Sequence, residues 1–529
     1  MITRTLGFRA GLLALSLGMT LAAPSFAEEV TLRSLDGSNT LKGDFVSYDG
    51  ATYTIRTLVG EFQVDGFQVT CSGAACPTID VASEAFTIAG SSKLVGRVFS
   101  DLIFEFSSDI GGGAATLAGD ARRPTIQIQD EAERDLAQIT LDPVGSKLGI
   151  ASVVAGDAKL AVATRSVTAD EVALFAGAGL GDPTSALQEK IFALDGLVAI
   201  TSQTNPIRAI SEENLASIFA GKITNWSEIG GPSAAINLYF RTPDSGTAAV
   251  FNDLVMVPAG AALSSGARFV ETDAAVASAV AADPLGIGIT GLADAGAAKV
   301  LAIRGVCGIQ VPATPFTIKT EEYPLSRRIY AYNGNNDVPA QLGRFIKFLD
   351  TAKAQDVVSN AGFVDLGISY QNNNEQGLRF ISSVMPTDVE VDLAQLQQMS
   401  EALIASDRTS ITFRFALGSA TLDARAQDDI VRLANLVTTG DIKNKEMLLI
   451  GFTDSVGAGA SNIGLSQQRA DEVRQALVAA APASSLDGVP IRALGFGEIS
   501  PLSCNETANG RRINRRVEVW FRDIVTVSP

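Results

Sequence analysis

The chain has 529 residues, too many for one ordinary hydrophobic core, and this length predicts two to four domains. Hydrophobic residues make up 46% and charged residues 19%, as in globular domains. The 58 acidic residues exceed the 41 basic ones, for a net charge of −17, so no nucleic-acid partner is expected and any anion site must be local. Histidine is absent, which argues against Ser-His-Asp or Cys-His catalysis and ordinary zinc sites. We therefore predict a non-enzyme without metal or cofactor.

The first 27 residues have the pattern of a secretory signal peptide. Arg4 and Arg9 form a positive start, residues 10–22 form a short apolar run, and Ser25-Phe26-Ala27 is a small-x-small cleavage site. A membrane anchor is the alternative, but the run is shorter than the roughly 20 residues that a spanning helix needs. We therefore predict export and cleavage after Ala27.

After export, the four cysteines are expected to be in an oxidising compartment, where disulfides form. Cys71 and Cys76 enclose only Ser-Gly-Ala-Ala and are predicted to form a local disulfide. Cys307 and Cys504 lie in different predicted domains, and a bond between them would tie those domains together. Parity alone leaves that second pairing open.

Beyond the signal peptide, the pattern of the chain changes three times. Residues 28–80 are short alternating runs between turn signals, which predicts a small all-β barrel or sandwich. Residues 81–369 alternate short strands with helices, which predicts a two-lobed α/β domain with mainly parallel strands and a cleft. Residues 370–395 form a polar, non-periodic linker. Residues 396–529 begin with a helix and continue as β-α-β-α-β-β, which predicts an α+β domain.

A candidate anion loop lies in the middle domain, where Arg241-Thr-Pro-Asp-Ser-Gly-Thr247 follows a predicted strand and precedes a predicted helix that includes Ala248–Phe251. An ordinary helix cap is one interpretation, because Asp, Ser and Thr satisfy free N–H groups there. The same geometry also suits an oxyanion. Ser245, Gly246 and Thr247 offer backbone N–H groups and two hydroxyls, and Arg241 supplies a bidentate charge.

The surroundings of this loop carry a resemblance. The elements in order are Ile218-Phe-Ala-Gly-Lys-Ile-Thr-Asn-Trp226, the Arg241 loop, Pro284-Leu-Gly-Ile-Gly288, and Tyr323-Pro-Leu-Ser-Arg327 with Tyr330. Over about residues 86–366 the chain resembles the phosphate-binding protein of the phosphate ABC transporter (PstS-like). The resemblance implies two α/β lobes that bury phosphate between them, with an ABC permease as a candidate partner.

The resemblance also implies site residues. Arg241, Ser245, Gly246 and Thr247 match the phosphate-binding residues of the family directly. Ser91 or Ser92 matches the first anion loop of the family loosely, and Ser146 matches the second. Two positions depart from the family pattern. Lys93 stands where a Thr is common, and Arg165 stands where some members carry an Asp that accepts the proton of phosphate. An inward-facing Arg165 would still favour an anion, but the selectivity for phosphate over sulfate is left open.

The last domain carries a second constellation. Its elements are Phe415-x2-Gly-Ser419, Gly451-x-Thr-Asp454-x2-Gly457, Asn462-x2-Leu-Ser-x2-Arg-Ala470, Gly495-x-Gly-Glu498 and Asn514-Arg-Arg-Val-Glu518. They resemble the OmpA-like domain, the peptidoglycan-binding module of Gram-negative envelopes.

The resemblance implies that Asp454 takes the ammonium and Arg469 the carboxylate of diaminopimelate. Asn462, Leu465 and Arg469 share one helix face by their spacing, and Arg515 is a candidate for an added contact. A solvent-exposed Asp454–Arg469 salt bridge is the alternative for the pair, and a solvent-facing strand position is the alternative for Arg516.

Together these patterns predict a binding protein of the Gram-negative periplasm that is exported and associated with the wall or outer membrane. Its middle domain closes on an oxyanion, with inorganic phosphate preferred, and its last domain holds peptidoglycan non-covalently. An envelope scaffold or adaptor that has lost or changed its ligand is the first alternative. A phosphatase acting in the cleft is the second, and the absence of histidine argues against it.

Overall fold

The computed structural model describes residues 29–524, with gaps at 35–39, 49–51, 58–59, 67–68, 77–82, 132, 336–337, 373–375, 378–392, 440–441, 443, 482–485 and 487–488. The predicted signal peptide and most of the predicted linker lie outside the described residues. Two compact units are present, residues 29–76 and residues 83–524, and each is described by itself. No helix among the described residues combines the length and the apolar character needed to cross a bilayer.

The N-terminal unit is one antiparallel sheet with the order β4-β3-β2-β1-β5. Its strands are β1 (Glu29–Ser34), β2 (Thr40–Tyr48), β3 (Thr52–Thr57), β4 (Gly60–Asp65) and β5 (Val69–Ser72). The all-β prediction is confirmed, but the described strands form a single open sheet rather than a barrel or sandwich. Alternate residues such as Val30, Leu32, Tyr53 and Ile55 are buried on one face. The predicted disulfide between Cys71 and Cys76 is present.

The second unit begins with the two-lobed α/β fold. Its strands are β6 (Glu84–Gly90), β7 (Gly113–Thr116), β8 (Thr125–Gln129), β9 (Asp135–Asp142), β10 (Leu160–Ala163), β11 (Glu189–Thr201), β12 (Ala209–Ser211), β13 (Asn237–Arg241), β14 (Arg268–Val270), β15 (Gly286–Gly291), β16 (Lys299–Val300), β17 (Ala302–Arg304), β18 (Gln310–Val311) and β19 (Ser326–Asn333). Its α-helices are α1 (Phe99–Asp109), α2 (Ser146–Ala155), α3 (Ala169–Gly177), α4 (Glu212–Phe219), α5 (Gly246–Phe251), α6 (Asp273–Ala282), α7 (Pro315–Lys319), α8 (Ala340–Phe348) and α9 (Ala352–Asn360). Short π and 3-10 turns occupy Leu94–Val98, Trp226–Ile229, Asn252–Met256 and Leu292–Asp294.

We call the part built around β6–β10 lobe 1 and the part built around β13–β15 lobe 2. Each lobe has its own hydrophobic core, and the strand β11 contributes to both. Phe192 and Ala193 of β11 pack in lobe 1, whereas Leu194 and Leu197 of the same strand pack in lobe 2. The prediction of mainly parallel strands is wrong. Parallel pairs such as β6–β10 and β13–β15 are flanked by antiparallel pairs, because β11 and β19 pass between the lobes side by side in opposite directions.

The C-terminal domain packs in the same unit and follows the predicted β-α-β-α-β-β order. Its strands are β20 (Tyr370–Gln371), β21 (Ser406–Arg414), β22 (Lys445–Phe452), β23 (Ile491–Gly495) and β24 (Arg516–Asp523), and its helices are α10 (Leu393–Leu403), α11 (Ala424–Thr439), α12 (Gly459–Ala480) and α13 (Ala508–Asn514). The sheet order is β20-β21-β24-β22-β23. The short helix α13 was not predicted. The strand β20 falls at the start of the predicted linker and pairs with β21.

Cys307 of lobe 2 and Cys504 of the C-terminal domain form a disulfide, which resolves the pairing that the sequence left open. Cys504 packs within the hydrophobic core of lobe 2. The C-terminal domain also reaches lobe 1, where Lys190 of β11 lies 3.5 Å from Asp428 and Asp350 lies 3.8 Å from Arg432. The domain therefore contacts both lobes of the two-lobed fold.

Candidate functional sites

The loops of both lobes converge at the carboxyl ends of parallel strands. In lobe 1 the strands β6, β9 and β10 are parallel neighbours, so the loops after them share one edge of the sheet. In lobe 2 the parallel pair β13–β14 brings Arg241, at the end of β13, beside Asp273, at the start of α6. Loop residues far apart in sequence are thereby brought to the cleft.

A cluster of polar side chains surrounds the predicted anion loop, and we call it the anion-loop cluster: Arg241, Ser245, Thr247, Asp273 and Arg327. Arg241 Nη1 lies 3.1 Å from Asp273 Oδ2, and the Thr247 hydroxyl donates to the same oxygen at 3.1 Å. Arg327 Nη1 donates to Thr247 Oγ1 at 3.1 Å. The Ser245 hydroxyl accepts from the N–H of Ala248 and caps α5, the helix that the sequence predicted here.

Two atoms of this cluster are buried and have no hydrogen-bond partner: Arg241 Nε and Asp273 Oδ1. One is a donor and the other an acceptor, and each is costly to leave unpaired away from water. Burial raises the pKa of Asp273, and Arg327 and Arg241 offset that shift only in part. The cluster therefore has unused capacity both to donate and to accept a hydrogen bond.

Glycine at position 246 allows the two lobes to meet. A Cβ there would lie 2.1 Å from Thr164 Oγ1 and 3.3 Å from Ser146 Oγ, both of lobe 1. Ser146 is buried, and its hydroxyl accepts from the N–H of Thr164 at 3.2 Å. Ser146 and Gly246, predicted from separate loops, are thus brought together across the cleft.

The remaining predicted residues of lobe 1 form hydrogen bonds with residues outside the anion-loop cluster. The Ser92 hydroxyl donates to the carbonyl of Pro143 at 3.0 Å, and the Ser91 N–H donates to the carbonyl of Val162 at 2.8 Å. Arg165 Nη1 and Nη2 pair with Glu171 at 2.8 and 2.7 Å. Hydrogen bonding to Glu171 raises the pKa of Arg165 despite burial. The charge of Arg165 is therefore matched locally by a carboxylate.

The sequence reasoning missed two residues of the anion-loop cluster and one of their partners. Arg327 was quoted within a motif without a role, and it is buried against Asp195, 2.5 Å away. Burial acts to lower the pKa of Arg327, but Asp195 and Asp273 outweigh burial and raise it. Asp273 gave no stronger signal than a helix start after Thr272. Lys93, noted as a departure, forms a 2.7 Å ion pair with Asp294 of lobe 2.

In the C-terminal domain, Asp454 lies on the loop between β22 and α12, and Arg469 lies on α12. Both are buried, at 3% and 0% exposure, so the interpretation as a solvent-exposed salt bridge is wrong. Asp454 Oδ2 pairs instead with Arg515 Nη1 at 2.7 Å. The other alternative, a solvent-facing Arg516, is also wrong, because Arg516 is 0% exposed and pairs with Glu518.

Arg469 has no carboxylate within ion-pairing distance among the described residues. Its guanidinium donates to the backbone carbonyls of Ser419, Ala416 and Phe452 at 2.9, 3.2 and 3.5 Å. Burial and the neighbouring Arg515 lower the pKa of Arg469 to about 10, with Asp454 acting in the opposite direction. Even so, the group is charged at neutral pH and can accept an anionic partner.

The other two predicted wall-site residues lie on the same helix. Asn462 is buried and donates to Glu498 Oε2 at 3.3 Å, and Leu465 is half-buried. Farther along α12, Val473 and Leu477 face the hydrophobic core.

The geometry defines a two-lobed binding-protein fold joined to an α+β domain, and comparisons with known proteins name both parts. Residues 124–352 match the family described as "PBP superfamily domain", and residues 414–515 match the "OmpA family". Over 237 residues the chain is 30% identical to the phosphate-binding protein PstS of Borreliella burgdorferi, covering 43% of this chain and 80% of the relative. The chain therefore belongs, through its middle domain, to the PstS family of phosphate-binding proteins, and it carries an OmpA-family domain at its C-terminal end.

Two further relatives extend the comparison. The C-terminal domain is 37% identical over 111 residues to outer membrane porin F of Pseudomonas fluorescens, covering 21% of this chain and 32% of that protein. The match thus spans about a third of the porin's length. An ABC-type phosphate transport receptor from Vibrio cholerae, solved by crystallography, aligns with 53% of this chain and 99% of its own at 22% identity and a TM-score of 0.41. These relatives are binding proteins and envelope proteins rather than enzymes.

Proposed function

We propose that the protein binds inorganic phosphate in its two-lobed domain while its C-terminal domain holds it on peptidoglycan in the periplasm. The observation that carries the proposal is the anion-loop cluster in a PstS-family domain. Arg241 supplies a guanidinium with an unused buried Nε, and Ser245 and Thr247 supply hydroxyls beside it. Charge-assisted hydrogen bonds of this kind are stronger when water is excluded.

Binding without chemistry is the activity that these residues support. Arg241 and the loop hydroxyls hold the oxygens of the anion, and Asp273 Oδ1 offers an acceptor to a protonated oxygen. Asp195 holds Arg327 in place, so that Arg327 can orient Thr247 from behind. The ABC permease is the proposed recipient of the bound anion.

Wall attachment is assigned to the Asp454 and Arg469 pair. We propose that the ammonium of diaminopimelate takes the place of Arg515 beside Asp454 and that its carboxylate meets Arg469. The support is that Asp454 already accepts a cationic group at 2.7 Å and that Arg469, within the part of the chain that the structure describes, donates its hydrogen bonds to carbonyls and pairs with no carboxylate. Both groups are buried, so their interactions are poorly screened by salt.

One experiment tests both the phosphate-binding part and the wall-binding part of the proposal. Purified full-length protein is mixed with peptidoglycan sacculi and radiolabelled phosphate, and the pellet is assayed for protein and label. The parent protein should pellet with label. Arg241→Ala should pellet without label, and Asp454→Asn should stay in solution while binding phosphate. The matched controls are Arg268→Ala, an exposed arginine on the neighbouring strand β14, and Asp471→Asn, a surface residue of α12.

The scaffold alternative is favoured by one observation: Arg241 and Arg327 of the cleft are each already paired with a carboxylate. In that case the parent protein pellets without label and phosphate gives no binding heat in solution. A parent protein that binds neither sacculi nor phosphate would end the proposal altogether.

A further inference from the structure

A cavity of about 770 Å³ lies between the C-terminal domain and the two lobes. Lobe 1 contributes Thr164 and Tyr330 to its wall, lobe 2 contributes Val250, and the C-terminal domain contributes Ser419. A volume of this size is within the range of small-molecule sites. The cavity exists only because the domains are packed together.

The charge of the wall is positive although the chain as a whole is acidic. Six arginines line the cavity: Arg165, Arg327, Arg328, Arg414, Arg512 and Arg515. Only three lining carboxylates oppose them, those of Asp253, Glu321 and Asp423. In a protein with a net charge of −17, an arginine of this wall that lacks a carboxylate partner would favour an anion locally.

Five of the six arginines have a carboxylate partner. Arg165 and Arg327 pair with Glu171 and Asp195 behind the wall, and Arg515 pairs with Asp454. Arg328 and Arg512 share one carboxylate, that of Glu321, and Arg328 also lies 3.3 Å from Asp423.

Arg414 is the exception. Among the described residues no carboxylate lies within ion-pairing distance of it, although its side chain is only 7% exposed. Its terminal nitrogens donate to the carbonyls of Thr320 and Ile513, and its Nε is buried without a partner.

The burial of Arg414 without a carboxylate partner affects its pKa. Burial, reinforced by Arg512 and Arg516, lowers its pKa to about 9, and Glu322 and Glu321 offset this only in part. Burying a guanidinium without a counter-ion costs free energy, and an anion bound beside the guanidinium reduces that cost. Arg414 is one of the residues that line the cavity, so an anion held there would lie beside it.

We propose that this interdomain cavity is a second oxyanion site, centred on Arg414, which shares Arg327 with the anion-loop cluster but none of the other residues of that cluster. Phosphate and carboxylate groups share the required chemistry, because both accept parallel hydrogen bonds from guanidinium groups. Two sources are therefore possible: free inorganic phosphate, and the carboxylates of a peptidoglycan stem peptide. The second source reaches the cavity beside Arg515, which lines the wall and pairs with Asp454.

The test uses full-length, disulfide-bonded protein carrying Arg241→Ala and Asp454→Asn, which remove the proposed phosphate site of the cleft and the proposed wall site. Isothermal titration with inorganic phosphate is one arm, and titration with the tripeptide L-Ala-D-Glu-diaminopimelate is the other. At least one arm should show saturable binding at one site per chain. Adding Arg414→Gln, which keeps a hydrogen-bond donor but removes the charge, should weaken that binding at least tenfold.

A second variant guards against misfolding of Arg414→Gln. Thr421 is an exposed residue of the cavity wall, and Thr421→Glu adds a negative charge there, with the same tenfold loss expected. Arg474→Gln, a surface arginine of α12 outside the lining, is the matched control and should change nothing. Absence of heat in both arms, or binding that survives both cavity variants, overturns the proposal. Neither result depends on whether the parent protein binds phosphate through Arg241.

Discussion

Asp273 is the residue on which selectivity among oxyanions is expected to depend. Its Oδ2 is occupied by Arg241 and Thr247, whereas its Oδ1 is buried and unpaired. Monohydrogen phosphate has a proton to donate to that oxygen, but sulfate does not and is repelled by the carboxylate. Asp273 thereby supplies a carboxylate that can accept the proton of phosphate. Arg165 occupies the position at which some family members carry an Asp for that role.

Asp273→Asn should therefore lower the ratio of phosphate affinity to sulfate affinity at least tenfold, equivalent to about 1.4 kcal/mol. Titration calorimetry with each anion measures the ratio directly. Asp283→Asn is the control, because Asp283 follows the C-terminal end of the same helix and bonds Asn237 and Tyr239. An unchanged ratio in Asp273→Asn would assign selectivity to other residues of the cleft.

At the scale of elements, the strand β24 concentrates buried charge in the C-terminal domain. Glu518 is 0% exposed and accepts from Arg516 Nε at 2.6 Å and from Trp520 Nε1 at 2.9 Å. Arg408 of β21, 1% exposed, lies 3.3 Å from the same carboxylate and also pairs with Glu322 beyond α7. One carboxylate thus offsets two buried guanidinium groups in adjacent strands.

Glu518→Gln should destabilise the domain by about 3–5 kcal/mol, because it removes a buried carboxylate that offsets the charge of Arg516 and part of the charge of Arg408. Urea unfolding in a Trp226→Phe background, followed by the fluorescence of Trp520, measures the loss, since this indole bonds Glu518 directly. Asp523→Asn at the exposed end of the same strand should leave the unfolding midpoint unchanged. A midpoint in Glu518→Gln equal to that of the parent would mean that other groups compensate the arginines.

Elements were predictable from the sequence where short-range patterns decide them. The spacing of Asn462, Leu465 and Arg469 correctly placed them on one helix, and the strand and helix order of the C-terminal domain followed the apolar periodicity. The partners of Arg241 and Asp454 were not predictable, because Asp273 and Arg515 reach them only through tertiary packing. Parallel pairing was overpredicted for the same reason: strand order depends on crossovers that local sequence does not encode.

At the scale of the whole molecule, the C-terminal domain is docked across β11 and β19, the two strands that pass between the lobes and that we call the hinge strands. It is covalently joined to lobe 2 through Cys307–Cys504, and its Asp428 and Arg432 lie beside Lys190 and Asp350 of lobe 1. The strands β11 and β19 that link the lobes lie beneath this contact. Any bend between the lobes at these strands would therefore displace residues that the C-terminal domain contacts.

The docked interface is expected to weaken in acid. Glu321 joins Arg328 of the hinge strand to Arg512 of the C-terminal domain. Burial acts to raise the pKa of Glu321, but Arg328 and Arg512 outweigh burial and hold its pKa well below the usual range. A carboxyl with a depressed pKa contributes stability above its ordinary pKa, roughly 4.3, and that contribution is lost as the pH falls below it.

The pH dependence of docking can be measured once the Cys307–Cys504 disulfide is removed. In Cys307→Ser/Cys504→Ser protein, small-angle X-ray scattering should show the docked dimensions at pH 7. At pH 3.5 the radius of gyration should be larger, because protonation of Glu321 weakens its ion pair with Arg512 of the C-terminal domain. Glu321→Gln in the same background should already be enlarged at pH 7 and change less on acidification. Dimensions that stay constant down to pH 3.5 in the disulfide-free protein would mean that Arg408, Arg414 and the apolar contacts hold the domains together without Glu321.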